Sequence, residues 1–219
     1  MRNLVLMFFA LAYMLNFWGC NTAGRKEAIE ANNAAVNGFT ANFNDAATLR
    51  QDWIVDNGEW KIEDGKLIGE GYQETNPCIW LNKPLSDNVE IEYVAEALQT
   101  GNDLNCIIAG NTKSWSGYPI LIGGYGGTRC RIGIAEIRNE DEHHHRNLRE
   151  TPYTIEAKRE YTVNVRRMPD RIIVSIDGEE IMRSERTELT HTIENQFFGF
   201  FSWDNRIAIK KLTIKDLRG

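Results

Sequence analysis

Apolar and polar side chains alternate along most of the chain after residue 37, with the two-residue period of a strand that buries one face. In Val89–Ala97 one face carries Val, Ile, Tyr, Ala and Ala, and the other face carries three glutamates and a valine. Residues 161–165 alternate in the same way. Phe197–Phe201 is bulky on both faces, which is typical of a central strand that is covered on both sides. These segments predict β-strands.

Turn signals separate these strands. The Asp64-Gly65 and Asp177-Gly178 pairs stand between alternating runs, and Asp-Gly is a strong signal for a two-residue hairpin turn. A slip in the alternation at Lys210-Lys211 predicts a β-bulge in the final strand. We count roughly a dozen short strands and no convincing amphipathic helix after residue 37. Strands without intervening helices pair antiparallel, so the sequence predicts an all-β fold, one two-sheet antiparallel β-sandwich (a jelly roll) over residues 38–219.

The N-terminus predicts export. After a short positive start, Leu4–Trp18 is apolar except for Asn16. As a helix this run would reach about 22 Å, short of the roughly 30 Å hydrocarbon core, so it fits a signal peptide better than a transmembrane span. The Gly19-Cys20 pair that follows resembles a bacterial lipoprotein signal, in which the cysteine is lipidated after cleavage. The alternatives are a signal peptide that is cut elsewhere and an uncleaved anchor.

We therefore expect residues 1–19 to be a lipoprotein signal peptide and Cys20 to carry the lipid. Residues 20–37 contain almost no large apolar side chains, so they predict a flexible tether between the lipid and the domain. The predicted location is the cell envelope, lipid-anchored to a membrane and facing the periplasm or the cell surface.

Composition excludes one class of partner. The chain has 25 Lys and Arg residues against 31 Asp and Glu residues, a net charge of −6. Binding to nucleic-acid phosphates needs clustered basic side chains, so we expect no nucleic acid as a ligand.

Besides Cys20 the chain has Cys78, Cys106 and Cys130, which allow at most one disulfide. Cys106 and Cys130 lie mid-strand, where they can instead be buried small hydrophobic residues.

The order of framework residues is similar to that of a known fold family. Phe43-Asn44-Asp45, Trp53 and the run from Trp60 to Leu67 open the domain, and Gly199-Phe200 with an Ile-rich strand closes it. This pattern resembles concanavalin A-like lectin/glucanase jelly rolls, in particular the 3-keto-disaccharide hydrolase type and allied uncharacterised domains found with glycan-degradation genes. The matching residues are turns, core aromatics and a closing strand. The resemblance therefore implies the fold and, by analogy alone, an activity on glycans.

One row of carboxylates suits glycoside hydrolysis. Glu90, Glu92 and Glu96 share a strand face, where neighbours two apart are about 7 Å from each other. That spacing lies within the roughly 5–9.5 Å range of glycosidase carboxylate pairs. The alternative is that this face is simply the solvent side of an outer sheet.

The densest titratable cluster is the stretch 140–146, which we expect to be a loop between strands. Its Glu142, His143 and His145 can transfer protons near neutral pH, and they are the predicted catalytic residues. The alternative is a solvated charged loop without a role. Consecutive residues point in different directions and no spaced third ligand follows, so we expect no metal.

A set of aromatic and polar side chains suits a sugar. Sugar rings present flat C–H faces that stack on Trp and Tyr, while Arg and Asn side chains bind hydroxyl groups. Arg129 and Arg131 share one strand face after a Gly-rich turn, either as a salt-bridge row or as the floor of a polar groove. Trp115 and Tyr118 can alternatively fill the edge of the core. The predicted saccharide-binding residues, on the concave sheet face and its rim, are Asn105, Trp115, Tyr118, Tyr125, Arg129, Arg131 and Trp203.

The sequence thus predicts a membrane-tethered exported protein that acts on carbohydrate. The leading hypothesis is a glycoside hydrolase or lyase acting on a saccharide, which the family resemblance allows to be 3-keto-modified. The alternative is a non-catalytic glycan-binding lipoprotein, and a weaker one is a structural surface protein without a ligand. No cofactor is expected, and the sequence carries no signal for the oligomeric state.

Overall fold

A computed structural model describes residues 38–71, 77–99, 103–113, 116–139, 142–185, 187, 195–203 and 205–218. These residues form fifteen strands in two antiparallel sheets, together with the six-residue helix α1 (Ala47–Asp52). The predicted signal peptide, the lipidation site Cys20 and the tether lie outside the described residues and stay predictions. No helix of the described part is both long enough and apolar enough to cross a membrane.

Eight strands form the first sheet. Its order is β13-β12-β11-β6-β15-β4-β3, and β1 also pairs with β15. The strands are β1 (Phe39–Thr40), β3 (Glu59–Glu63), β4 (Lys66–Glu70), β6 (Val89–Ala97), β11 (Glu160–Arg167), β12 (Ile172–Ile176), β13 (Glu179–Ser184) and β15 (Arg206–Asp216).

Seven strands form the second sheet. Its order is β10-β9-β8-β7-β14-β5-β2. The strands are β2 (Trp53–Asn57), β5 (Cys78–Leu81), β7 (Cys106–Gly110), β8 (Tyr118–Gly123), β9 (Arg129–Asn139), β10 (Glu142–Pro152) and β14 (Phe197–Phe201).

The local signals in the sequence are confirmed. Asp64-Gly65 joins β3 to β4 and Asp177-Gly178 joins β12 to β13, and all four residues have the positive φ of a tight hairpin turn. β6 alternates buried and partly exposed positions along its whole length. The predicted bulge is present, since the register of β15 against β6 shifts between Ile209 and Lys211.

The core lies between the two sheets, and β14 is central to it. The ring of Phe200 is 5.9 Å from that of Trp53, 5.1 Å from that of Tyr93 and 4.8 Å from that of Phe198. β14 lies between β5 and β7, and its Phe201 is buried on the opposite face. The strand is therefore covered on both sides, as predicted. Each aromatic pair of this kind adds about 0.5–1.5 kcal/mol beyond its buried area.

Two expectations are resolved by the strands. Residues 142–146 are not a loop, because β10 begins at Glu142 and pairs with β9 as the edge strand of its sheet. An edge strand tolerates a run of charged residues because one of its sides faces no other strand. Cys78, Cys106 and Cys130 are all buried thiols, which agrees with the prediction that Cys106 and Cys130 act as small hydrophobic residues.

Candidate functional site

Three connections meet at one end of the second sheet. We call this place the site end and define it by residues 103–105, 123–128 and 202–203, together with Arg129 and Arg131 at the start of β9. β7 runs antiparallel to both β8 and β14, so the segment before β7, the turn after β8 and the segment after β14 lie side by side. The carbonyl of Asn105 accepts the backbone N–H of Phe201 at 3.4 Å, and the backbone N–H of Leu104 donates to the carbonyl of Ile122 at 2.8 Å.

The turn between β8 and β9 presents Tyr125 to solvent. Gly123, Tyr125, Gly126 and Gly127 all have positive φ, between 57° and 87°. Glycine adopts this conformation freely, whereas a side chain with a Cβ loses about 1 kcal/mol or more there. Tyr125 is the one aromatic residue with positive φ in the described part of the chain, and its side chain is 63% exposed. The turn thus holds Tyr125 in a strained backbone conformation with its aromatic ring exposed to solvent.

Two arginines lie against the ring of Tyr125. The guanidinium carbons of Arg129 and Arg131 are 5.4 Å and 6.0 Å from the ring centroid, within the range of cation–π contacts. Arg131 Nη1 also donates to the Tyr125 hydroxyl at 3.3 Å. The two arginines share one face of β9, as predicted, and this face is turned away from the core, since Cys130 between them is buried.

Glu150 on β10 lies beside this pair of arginines. Its Oε1 accepts Arg129 Nη1 at 2.8 Å and its Oε2 accepts Asn147 Nδ2 at 3.2 Å. Arg131 has no carboxylate within ion-pair distance among the described residues. Its Nε is shielded from solvent and finds no acceptor there. Arg131 therefore keeps an uncompensated positive charge beside an exposed aromatic ring.

Asp103 and Trp203 form the second part of the site end. The backbone N–H of Trp203 donates to Asp103 Oδ2 at 3.0 Å, while the Trp203 side chain is 57% exposed. Asp103 is only 4% exposed. Burial raises the pKa of its carboxyl to about 7, against the lowering effects of the Trp203 N–H and the Asn105 side chain. The carboxyl thus anchors the Trp203 backbone and can hold a proton near neutral pH.

Asp103 and Glu150 are not among the site residues predicted from the sequence. The sequence did carry a signal for Asp103, because this acidic residue stands three positions before a buried strand. A carboxylate at such a place is removed from water and needs a partner. For Glu150 the signal would have been its register opposite Arg131.

Two predicted binding residues are buried. Asn105 is 0% exposed, and its Oδ1 accepts the backbone N–H of Ile122 at 2.8 Å. Tyr118 is 0% exposed and lies in the core between the sheets, opposite Ile108 of β7. Neither side chain reaches solvent, so the predicted stacking of Tyr118 on a sugar ring does not fit this position. Asn105 instead holds the end of β8 in place.

Four predicted residues have no described side chain. Trp115 lies outside the described residues. The backbones of Glu142, His143 and His145 belong to β10, where His143 is the partner of Ile137 and His145 the partner of Ala135. Their catalytic role stays a prediction.

The glutamate row of β6 lies on the outer face of the first sheet. Glu90 pairs with Arg166 at 3.2 Å, Glu92 with Lys211 at 3.3 Å and Glu96 with Lys210 at 3.1 Å. Each carboxylate is thus engaged by a cation from a neighbouring strand. The structure therefore supports the solvent-face alternative for this row. No cluster of His, Cys, Asp and Glu suited to a metal ion occurs among the residues the structure describes.

A groove of about 400 Å³ opens beside β2 and β3 and contains none of the predicted site residues. Trp60 forms part of its wall, but this residue is only 8% exposed. The Trp60 indole N–H already donates to the carbonyl of Asn57 at 3.1 Å. The groove therefore offers little free aromatic surface.

No family model and no curated protein matches this chain. Solved structures do match it. The carbohydrate binding module CBM66 from Bacillus subtilis aligns with a TM-score of 0.61 and 14% identity, covering 75% of this chain and 96% of that one. The metal-free Emp46p carbohydrate recognition domain aligns with a TM-score of 0.58 and 13% identity, covering 79% and 92%. The Crh5 transglycosylase in complex with NAG aligns with a TM-score of 0.59 and 14% identity, covering 84% and 86%.

The domain has the concanavalin A-like jelly-roll fold. This confirms the fold predicted from the sequence. Within this jelly roll, the exposed aromatic rings and cations described above lie at one end of the seven-stranded sheet. The identities are too low to carry over any residue role from these structures.

Proposed function

We propose that this jelly roll binds carbohydrate at the site end of the second sheet. The observation that carries the proposal is Tyr125, which a strained glycine-rich turn holds outward with the guanidinium groups of Arg129 and Arg131 against its ring. A sugar ring stacks its C–H face on such a ring, and the neighbouring N–H groups donate to its oxygens. Residues held in strained backbone conformations cluster at active sites and ligand-binding positions.

Trp203 supplies a second aromatic surface at the same end. Its backbone is fixed by Asp103, while its side chain stays exposed. A backbone that is already fixed loses less conformational entropy when a ligand stacks on the side chain it carries. The names of the similar structures support the ligand class, since one is a carbohydrate binding module, one a carbohydrate recognition domain and one a transglycosylase in complex with NAG.

Binding without catalysis is the better-supported role. Glu150 accepts hydrogen bonds from Arg129 and Asn147, and Asp103 is 4% exposed and accepts a backbone N–H. The large exposed side chains among the described residues of the site end are thus aromatic rings and cations, which suit recognition. This order reverses the one favoured by the sequence.

A glycoside hydrolase or lyase is the second candidate, and Asp103 is the observation that favours it. A carboxyl with a pKa of about 7 can carry a proton at neutral pH, as a general acid must. The predicted catalytic residues Glu142, His143 and His145 on β10 would then supply the second proton-transfer group.

For the intact protein we further propose a lipid tether at Cys20 that holds the jelly roll to a membrane of the cell envelope.

A glycan array probed with the purified full chain tests the proposal. We expect the parent to bind a subset of saccharides and the Tyr125→Ala variant to lose that binding. The control is Leu217→Ala, which removes an exposed side chain at the far end of β15 and should bind as the parent does. An array without any bound saccharide, or binding that Tyr125→Ala leaves unchanged, contradicts the proposal.

Incubation of the same saccharides with the parent separates the two candidates. A binding domain releases no product. An enzyme releases product, and in that case Asp103→Asn should stop product release and leave the binding of intact saccharide in place. Release that survives Asp103→Asn would remove Asp103 from the reaction.

A further inference from the structure

We infer that the saccharide bound at the site end carries an anionic group, a carboxylate or a sulfate ester, and that Arg131 binds it. This inference rests on the proposed function and narrows it from carbohydrate to acidic carbohydrate.

Arginine side chains on the surface of this domain are commonly paired with an acid. Carboxylates lie within ion-pair distance of Arg129, Arg159, Arg166, Arg171, Arg183, Arg206 and Arg218. A chain with a net charge of −6 has acids available for such pairs. Among the described residues Arg50, Arg149 and Arg167 also form no ion pair, so a missing partner counts only for an arginine that lies directly opposite an acid across a strand pair.

Arg131 is such an arginine. Glu150 is its direct partner across the β9–β10 pair, so the acid stands at the right register. Each oxygen of Glu150 nevertheless accepts a hydrogen bond from another group, one from Arg129 at 2.8 Å and one from Asn147 at 3.2 Å. The Glu150 carboxylate therefore forms its ion pair with the neighbouring arginine, Arg129, and not with Arg131.

One edge of the Arg131 guanidinium lacks a partner. The residue is half-buried, and its Nε is shielded from solvent without an acceptor among the described residues. Because a shielded Nε is closed to a ligand as well, an oxyanion would bind the Nη groups, and its charge would offset that of the poorly solvated guanidinium edge. Arginine is suited to this task because its planar fork matches carboxylate and sulfate oxygens.

Tyr125 determines that the anion belongs to a sugar. The Tyr125 hydroxyl is 3.3 Å from Arg131 Nη1, and its ring is 63% exposed. A ligand that contacts both groups needs a flat apolar face beside a negative charge. A uronic acid or a sulfated sugar has both within one ring, whereas a free inorganic anion has only the charge.

The test compares acidic saccharides with their neutral counterparts on the full chain. Calorimetry with polygalacturonate and its carboxyl-reduced form, and with a sulfated galactan and its desulfated form, measures the preference for charge. We expect at least one acidic member to bind about tenfold or more tightly than its neutral counterpart, and the preference to fall as salt rises. Inorganic sulfate alone, as a further arm, should bind much more weakly than the acidic saccharide.

Two variants test whether Arg131 causes the preference for acidic over neutral saccharides. Arg131→Gln should abolish this preference. Arg131→Lys keeps the positive charge but lacks the planar guanidinium, so it should retain part of the preference. Arg166→Gln is the matched control, because it removes an arginine from the outer face of the first sheet. A melting temperature close to that of the parent shows that each variant is folded.

The outcomes separate this inference from the proposed function. Equal binding of acidic and neutral saccharides, abolished by Tyr125→Ala, overturns the inference and leaves the carbohydrate site standing. A charge preference that Arg131→Gln preserves overturns the inference in the same way. Binding of inorganic sulfate without binding of any saccharide overturns both.

Discussion

Glu150 lies directly opposite Arg131 across the β9–β10 pair, and its carboxylate bonds Arg129 instead. Because Glu150 pairs with Arg129, Arg131 contacts the hydroxyl of Tyr125 and no carboxylate among the described residues. Tyr125 is the most exposed large aromatic residue of the described part of the chain. Charge and aromatic surface thus stand together at the end of the sheet. This arrangement is the basis of the proposed saccharide site.

Changing Glu150 to Gln should strengthen the binding of acidic saccharides. The variant removes a negative charge near the ligand and frees the guanidinium of Arg129, so we expect the dissociation constant to fall by a factor of about two to five. Stability should change by less than about 1 kcal/mol, because the Arg129–Glu150 pair is largely exposed to solvent. Calorimetry and urea denaturation measure the two effects. Weaker binding in this variant would show that Glu150 itself contacts the ligand.

The stability of the domain should fall as pH rises from 4 to 7 because of Asp103. Its folded-state pKa is about 7, whereas an exposed aspartate titrates near 4, so the folded state holds an extra proton between these values. That proton is lost as the pH rises through 7, and the loss costs on the order of 4 kcal/mol of stability in total. Asp103→Asn keeps an oxygen acceptor for the Trp203 N–H and cannot ionise.

Urea denaturation of the parent and of Asp103→Asn at pH 5 and pH 8 measures this effect. The stability of the variant relative to the parent should increase by about 3 kcal/mol between the two pH values. A difference that stays constant with pH would mean that Asp103 is already ionised at pH 5.

Local features of this chain were predictable because they depend on neighbours in sequence. The Asp64-Gly65 turn and the alternating faces of Val89–Ala97 are decided within a few residues. The contact between Tyr125 and its two arginines belongs to the same class, since one turn brings them together. This part of the site was therefore within reach of the sequence.

The rest of the site depends on the order of the strands. Asp103 and Trp203 are 100 residues apart and meet because β7 and β14 are neighbours in the second sheet. Alternation shows that a strand has two faces but does not show which face is inside. Residue type does not decide exposure either, since Tyr118 in β8 is 0% exposed and Tyr125, in the turn seven positions later, is 63% exposed.

Gly199 should not tolerate alanine. A Cβ on this residue of β14 would lie 2.7 Å from the backbone carbonyl of Ile79 and 2.8 Å from the ring of Trp80. Both belong to the neighbouring strand β5, so the strands would have to separate. We expect Gly199→Ala to lower the free energy of unfolding by about 1–3 kcal/mol. Gly38→Ala is the control, since its Cβ meets nothing closer than 3.8 Å, and equal stability of the two variants would contradict the packing described here.

The lipid anchor is tested by Cys20→Ala in the full chain. If Cys20 is lipidated, the parent should partition into the detergent-rich phase and the variant should move to the aqueous phase, because a lipid chain adds about 0.8 kcal/mol of transfer free energy per buried CH₂. Phase separation in a cloud-point detergent, followed by immunoblotting, measures this. A variant that partitions as the parent does would rule out lipidation at Cys20 as the anchor.

Calorimetric titration of the parent and of Tyr125→Ala with one saccharide that the parent binds is the most direct test of the carbohydrate site. Loss of the exposed ring should weaken binding about tenfold or more, because stacking on an aromatic face is worth about 1 kcal/mol beyond the buried area and the arginines lose their neighbour. Leu217→Ala, at the far end of β15, should bind as the parent does. Parent-like affinity in Tyr125→Ala would place the saccharide elsewhere on the jelly roll and contradict the account.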